Sequence, residues 1–486
     1  MPSHKIPRDL SEYIELLRAA GELHEVTAQV DSNLEITEIV DRVSKEQGPA
    51  LLFSNVRGSN MPVLVNQMGS ERRLNMAFGV DDINQVGDRI TELLQLTKLP
   101  KGLGAKLGTA RKLLGVAKSV PPKMVRSSKA PCQEVVHTGD EVDLDSLPIL
   151  GCWPEDGGRY VTMPLVFTKD RNGTRNCGMY RLQQYDKNTM GMHWQIHKDA
   201  AADWRHMPPS GKLEVAVAIG TDPIVTYAGT CPLPKDIDEM LFAGFAHGKR
   251  VEMVKCKTVD LEVPAHAEIV LEGYVTQGEL RTEGPFGDHT GYYSLADEYP
   301  VFHVTAITRR ASPVYSATIV GVPNHEDQWM GKATERIFLP LLQMVHAEVV
   351  DYALPSEGVF HGCCIISIKK KFPGHAKKIM HAVWGTALLS LTKNVIVVDD
   401  DVDIFDLNDV MWAVATRVRA EKDIFFIPGA KAAILDPTSD PQNFTVTKMG
   451  IDATRPSGRD FAERLVIGEE QRARARNLLE AAGIKL

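Results

Sequence analysis

The sequence predicts a mixed α/β chain of more than one domain, with a β-rich centre between two α/β regions. Three observations lead there. Helical and strand patterns alternate over residues 1–90, short strands punctuated by turn signals run from 130 to about 310, and strand–helix alternation returns over 320–470. With 486 residues, 43% hydrophobic and 24% charged, the chain has ordinary globular composition and length for two or three domains.

Taken in order, Asp9-Leu-Ser-Glu12 has the capping-box pattern, which predicts a helix that stops at Gly21. A second helix follows, with Ile36, Ile39, Val40 and Val43 on one face. Ala50–Phe53 and Pro62–Val65 have the length and composition of short strands. From Leu93 to Gln133 there is no acidic residue, while Lys98, Lys101, Lys106, Arg111, Lys112, Lys118, Lys123, Arg126 and Lys129 fall inside it. This suits a solvated interdomain connection, or an electrostatic lure for an anion. In the centre, 162–168 and 213–219 are strand-like. Between Val263 and Thr276 the pattern alternates, with Ala267, Ile269, Leu271 and Val275 on one face and Glu268 and Glu272 on the other. Such a run of strands suggests a barrel. Further on, 364–368 is a strand, and a helix from about His375 carries Ile379, Val383 and Leu388. Asn394–Val398 reads as a buried parallel strand ending in Asp399, Asp400 and Asp401, and a helix from about Asn408 carries Val410, Trp412, Val414 and Val418. The predicted domains are 1–125, 126–318 and 319–486, with a terminal helix on the last.

Composition also excludes. A formal net charge of −8 speaks against a nucleic-acid binder, and no run of 18 apolar residues predicts a membrane span. The first residues lack the apolar core of a secretory signal, and seven scattered cysteines without framework spacing suit a reducing compartment, so the expected location is the cytoplasm. There is no Gly-x-Gly-x-x-Gly fingerprint, Walker loop, His-Glu-x-x-His or Gly-x-Ser-x-Gly elbow, so nicotinamide, P-loop and simple hydrolase readings lose support.

Four stretches can carry chemistry. Glu283-Gly-Pro-Phe-Gly-Asp288-His-Thr-Gly-Tyr-Tyr293 sets two carboxylates five apart in a glycine-rich loop. Two acids beside glycines are commonly turn formers, but the aromatic flanks suit a pocket, and two acids in one loop can hold different protonation states. Asn176-Cys-Gly-Met-Tyr-Arg181 places an arginine where it could grip a carboxylate through two parallel hydrogen bonds, or simply face solvent. His193 and His197 are four apart, but the surrounding pattern is a strand entering a turn, which favours structural histidines over a helical metal pair. Tyr227 to Glu239 is a Gly/Pro-rich loop entering a helix.

At these residues the chain resembles the UbiD family of decarboxylases. The similarity covers nearly the whole length and includes Leu34-Glu-Ile-Thr-Glu-Ile39, Gly48-Pro-Ala-Leu-Leu-Phe53, Cys152-Trp-Pro-Glu-Asp156, the blocks 263–273 and 283–293, and Lys448-Met-Gly-Ile-Asp-Ala-Thr454. The resemblance implies a reversible, non-oxidative decarboxylase of an aromatic acid that uses prenylated FMN, supplied by a flavin prenyltransferase. It implies a central split β-barrel of flavin-reductase type, a dimer through the C-terminal region or a hexamer of such dimers, and at most peripheral membrane contact.

Residue by residue, the resemblance makes Arg181, Glu283 and Asp288 the catalytic acid–Arg–acid network. Asn176, His197 and Glu239 match ligands of Mn2+ (or Mg2+), and the carbonyls of Ala228, Gly229 and Cys231 match a K+ site. Met179, Tyr180, His193, Trp194, Gln195, Lys198, Asp199 and Lys393 match cofactor-contacting positions. In this reading Arg181 receives the substrate carboxylate, Glu283 orients it, and Asp288 delivers a proton to the carbon that CO2 leaves. Some members carry Glu where this chain has Asp288; the Asp form accompanies phenolic acids. The blocks 191–197, 331–342 and Gly358-Val-Phe-His361 resemble the menaquinone-biosynthesis branch, which points to a dihydroxynaphthoic acid. Rivals are a polyprenyl hydroxybenzoate, protocatechuate or a phenazine carboxylate; from other classes, a flavin-free metal lyase or hydrolase, or a non-catalytic scaffold.

Overall fold

A computed structural model of the chain describes residues 4–96, 115, 118, 120–194, 204–234, 237–456 and 461–484. The first helix is Leu10–Ala19. Asp9 caps it by accepting from the Glu12 N–H at 2.8 Å, while the Glu12 carboxylate reaches back to the N–H of Arg8 rather than to that of Asp9. Gly21, with φ +72°, ends it in the left-handed region that glycine enters without steric cost. The helix covers a four-stranded sheet ordered Leu23–Val26, Ala50–Phe53, Val63–Val65 and Tyr315–Ser316. The last strand comes from far along the chain and seals the N-terminal layer to the centre. Helix Glu35–Lys45 buries Ile36 and Val40 as its period requires. Of the acid-free stretch, 97–114, 116–117 and 119 lie outside the described residues; Lys118, Lys123, Arg126 and Lys129 are exposed.

The centre is a nine-stranded antiparallel sheet. Its path runs Tyr160–Val161, Leu182–Gln184, Thr189–Met192, Asp297–Arg309, Ile269–Glu283, Lys212–Ile219, Pro164–Lys169 and Arg175–Met179, and Val135–Thr138 also pairs with Asp297–Arg309. Strand Arg175–Met179 is last in that path and Leu182–Gln184 second, yet only Tyr180 and Arg181 separate them in sequence. Three Cα steps reach at most about 10 Å, so the sheet must coil back until its ends nearly meet. No strand pairing among the described residues closes the ring, as a split rather than a closed barrel requires. The physical cause is visible at the edge: the Cys177 N–H donates to the Glu239 carboxylate at 2.9 Å, and that of Met179 to the Gly229 carbonyl at 3.1 Å, so loop and helix groups take the places a partner strand would use. The acidic face predicted between Val263 and Thr276 is not solvated either. Glu272 is fully buried and accepts from the N–H groups of Lys257 and Thr258, and buried Glu268 accepts from Val314 and pairs with Arg310.

The C-terminal sheet is ordered Val349–Ala353, Cys363–Ile368, Asn394–Asp399, Thr445–Asp452 and Ile424–Lys431. The three central strands are parallel, as strand–helix alternation predicts, and Asn394–Asp399 sits between two of them. Both edge strands run antiparallel, a correction that follows from their connections, since neither is joined to its neighbour through a crossover helix. Helices His375–Trp384 and Leu407–Arg417 cover it, with Ile379, Val383 and Val410 buried; Leu388 falls in the following 3-10 turn, Ala387–Leu391. No helix among the described residues is long and apolar enough to cross a membrane.

Candidate active site at the sheet seam

The site forms where the coiled sheet's ends approach. A tight turn over Asp170–Thr174, with Gly173 at φ +80°, joins Pro164–Lys169 to Arg175–Met179 and sets the register that pairs Asn176 with Thr168. The chain then crosses the seam through Tyr180 and Arg181. From the opposite side the long strand Ile269–Glu283 delivers Glu283, paired in register with Asp297, and the loop 284–296 folds back as a two-residue ladder, Phe286–Gly287 against Tyr293–Ser294.

Here Arg181 is held between both acids. Its Nε donates to Glu283 Oε1 at 2.9 Å, Nη2 to Glu283 Oε2 at 3.3 Å and to Ser294 Oγ at 2.9 Å, and Nη1 to Asp288 Oδ2 at 2.7 Å. Phe286 lies beneath, its ring centre 4.5 Å from the guanidinium carbon. His193 Nδ1 sits 2.9 Å from Glu283 Oε2, and its ring stacks on Tyr299. On the other flank His289 Nδ1 is 2.6 Å from Asp288 Oδ1. The loop is braced from behind. Asp156 accepts from the Gly287 N–H at 2.8 Å, Gln183 from the Gly284 N–H at 2.8 Å, and the Tyr160 hydroxyl donates to the Pro285 carbonyl at 3.0 Å. A Cβ at Gly287 would stand 2.2 Å from Trp153 Cδ1, so only glycine lets the loop pass.

The electrostatics follow from burial and pairing. Burial alone would raise the Glu283 carboxyl, but the His193 hydrogen bond and the Arg181 charge prevail and hold it down to about 2. Burial is likewise overcome at Asp288, where the charge and hydrogen bond of His289, then Arg181, hold the carboxyl well below the usual range. Arg181 is raised by its two carboxylates against its own burial. Burial and Arg181 push His193 down, and Asp288 pulls His289 up against burial. The free site thus carries two ionised acids, Arg181 as a cation and a neutral His193.

Glu283 binds fewer protons folded than unfolded between its ordinary value near 4.5 and about 2. Its stabilisation is therefore complete above pH 4.5 and is lost as pH falls through 2. Glu283→Gln is expected to lower stability at pH 7 by on the order of 3 kcal/mol, at 1.36 kcal/mol per pH unit, with the deficit shrinking below pH 4. Chemical denaturation of both proteins from pH 7 to 3 checks this; a pH-independent difference would contradict it.

Asn176 and Glu239 meet at the neighbouring edge, because the Glu239 carboxylate binds the peptide N–H that follows Asn176. Glu239 starts helix Glu239–His247, capped by Asp238. Burial pushes its carboxyl up to about 7, and Asn176 Nδ2 is buried without a partner among the described residues. A desolvated carboxylate that the Arg175 charge does not bring back to its ordinary range, beside an amide, suits a hard divalent cation. The Cys177 and Cys231 thiols nearby are pushed well up by burial, so soft thiolate ligation is disfavoured. Among the described residues no group of three or more His, Cys, Asp and Glu side chains is arranged to hold a metal. The expected third ligand His197, with Gln195, Lys198 and Asp199, lies outside the described residues. The carbonyls of Ala228, Gly229 and Cys231 each accept one backbone N–H, from Cys231, Met179 and Leu233, which leaves a second lone pair on each. Tyr180 is buried, and Trp194 Nε1 is buried without a partner among the described residues. Lys393 does not reach the Arg181 network: its Nζ binds Asp436 at 3.2 Å and Thr438.

Sequence reasoning missed Ser294, Asp156, Gln183, Tyr160, His289 and His361. Three of these carried a signal: His289 stands directly after Asp288 in the glycine-rich block, and Asp156 and His361 each close a block that carries the resemblance.

Three models of one family match the chain. They are described as the 3-octaprenyl-4-hydroxybenzoate carboxy-lyase N-terminal domain (residues 14–91), Rift-related domain (123–323) and C-terminal domain (328–453). An uncharacterized protein of Archaeoglobus fulgidus is 49% identical over 450 residues, 92% of each chain. The UbiD-class enzyme HmfF of Pelotomaculum thermopropionicum in complex with FMN superposes with TM-score 0.80 at 30% identity, over 95% of this chain and 98% of that one; an evolved dimeric form with prFMN gives 0.78 at 29%, over 96% and 98%. Vanillic acid decarboxylase of Sedimentibacter hydroxybenzoicus gives 0.86 at 28% identity in its closed form and 0.78 at 29% in an open form, each over 98% of this chain and 100% of that one. With three domain models in order and a guanidinium braced by two acids within the central one, the chain belongs to the UbiD family of carboxy-lyases.

Proposed function

We propose that the protein is a reversible, non-oxidative decarboxylase of a hydroxylated aromatic carboxylic acid that uses prenylated FMN with Mn2+ and K+. The observation that carries the reading is the buried Arg181 fork between Glu283 and Asp288. Loss of CO2 from an arene leaves charge that side chains cannot accommodate, and prenylated FMN supplies the electron sink. Asn176, Glu239 and His197 would hold the divalent cation, and the carbonyls of Ala228, Gly229 and Cys231 the potassium. Met179, Tyr180, His193, Trp194, Gln195, Lys198, Asp199 and Lys393 would line the coenzyme.

Arg181 receives the substrate carboxylate, and Glu283 fixes the plane of the guanidinium. As Arg181 turns to the substrate, its hold on Asp288 weakens and that carboxyl becomes a better base for a proton, placed to pass it to the carbon that CO2 vacates. The favoured substrate is a bicyclic hydroxyarene acid, a dihydroxynaphthoic acid of menaquinone biosynthesis. A single-ring phenolic acid is the second reading, supported by Asp288 and by the vanillic acid decarboxylase likeness. The test loads the protein with cofactor from a flavin prenyltransferase and offers both acid classes, reading CO2 release and the arene formed. A near-ultraviolet to visible band from the bound flavin and turnover of the naphthoic acid are expected. Absence of the band from protein made with the prenyltransferase overturns the cofactor, and turnover of only single-ring acids overturns the favoured substrate.

We further propose a homodimer through the C-terminal tail. Leu465 is 98% exposed, Val466 and Ile467 are exposed beside it, and helix Glu469–Ala481 buries none of its residues. Removing residues 462–486 is expected to halve the mass seen by light scattering; an unchanged mass would refute the interface.

A further inference from the structure

Asp288 presents a difficulty as a proton donor, because the free site holds it ionised between Arg181 and His289. The proton must come from a neighbour. His289 binds Asp288 through Nδ1, and its Nε2 lies 3.3 Å from Nε2 of His361, which belongs to the loop before Cys363–Ile368 in the C-terminal sheet. Two imidazole nitrogens at hydrogen-bonding distance share one proton, so one ring donates and the other accepts. A charged His289 donates from both nitrogens, to Asp288 and to a neutral His361.

The C-terminal loop is shaped for this contact. Val359 and Phe360 hold φ of +51° and +35°, a region that side chains of their size avoid. Gly358 packs so closely on Cys363 that a Cβ would stand 2.5 Å from that residue's Cβ. The turn stacks Phe360 on His289, with ring centres 5.0 Å apart, and sets His361 edge-on to His289 at 4.7 Å. The charged groups around the pair are Asp288 and Arg181 from the central seam and Asp327 from the first turn of helix Glu326–Val345, with Asp436 acting on His361 from beyond. Three acids and one guanidinium around two imidazoles favour a single positive charge on the pair, and burial with the His289 charge pushes His361 down to about 3.

We propose that His289 stores the proton that Asp288 delivers, and that His361 is a positioning residue which holds that proton in place by accepting from His289 Nε2. In the forward reaction the carbon–carboxyl bond breaks and CO2 leaves. The electron pair left on the ring carbon takes the proton from Asp288, which has drawn it from His289 Nδ1, and solvent recharges His289. The proton source is therefore complete only while the C-terminal segment lies against the seam. This rests on the proposed role of Asp288.

The experiment compares His361→Phe, which keeps a ring but no acceptor, with His361→Gln, which keeps an acceptor, in cofactor-loaded protein. In the parent, kcat should fall on the alkaline side as His289 deprotonates above its ordinary 6.5. His361→Phe should move that limb to lower pH by about one pH unit and so cut kcat by up to about tenfold along the alkaline limb, with KM little changed. His361→Gln should restore it. Independently, the His289 imidazole is titrated by NMR in flavin-free protein and should lie above 6.5, then fall in His361→Phe. Overlapping kcat profiles for the parent and His361→Phe, or a His289 titration below 6.5 in the parent, overturn the inference. A dead Asp288→Asn protein beside an unaffected His361→Phe one sinks this inference alone, whereas an active Asp288→Asn protein sinks the role of Asp288 itself.

Discussion

Replacing Arg181 by Lys is expected to lower kcat by at least about 10²-fold, the cost of losing one aligned donor at a site of developing charge. The ammonium keeps the positive charge, but the buried guanidinium makes four hydrogen bonds to three side chains and must still offer an edge to the substrate. A lysine has three donors on a point charge and no planar fork, so it cannot span Glu283 and Asp288 and grip a planar carboxylate as well. Glu283, fully buried, would keep His193 and lose the paired hydrogen bonds of the fork. Breaking a buried ion pair costs about 3–5 kcal/mol when one partner is removed outright, so the melting temperature should fall as well. Steady-state kinetics with the flavin spectrum as a control for loading checks this. A Lys enzyme with near-parental turnover would remove Arg181 from the role of carboxylate receptor.

Asp288→Asn should be nearly as damaging, by about 10²- to 10⁴-fold, the usual span of one acid–base group. Asparagine is almost isosteric and keeps an acceptor for the His289 N–H, so the loop should remain in place. What it cannot do is take up and release a proton. The loss should therefore appear in kcat, with flavin content unchanged. It should appear too in exchange of the arene product's ring hydrogen in deuterated water, which needs the same transfer run backwards without CO2. Full exchange with blocked decarboxylation would place another group at the carbon.

The alternation of elements, the caps at Asp9 and Gly21 and the parallel core around Asn394–Asp399 were all legible in the chain, because hydrophobic period and turn chemistry are local. So was the pairing of Arg181 with Glu283 and Asp288, though only through resemblance, since residues 102 and 107 positions apart carry no local signal of contact. Burial of Glu268 and Glu272 was not legible. Alternation says which face a side chain takes, and only packing says whether that face meets water.

By itself the sequence determined the mixed α/β class, the family and the residue types at the site, since each is written in local pattern or in ordered blocks of identity. Tertiary structure alone decided which loop and helix groups take the edge of the central sheet at its seam, that Asp288 is held ionised, and that a histidine 72 residues further on touches the one beside it. The reason is physical. Protonation state and strand closure depend on which charges and edges come within a few ångströms, and that distance is set by the coiling of the whole sheet and not by any one stretch of chain.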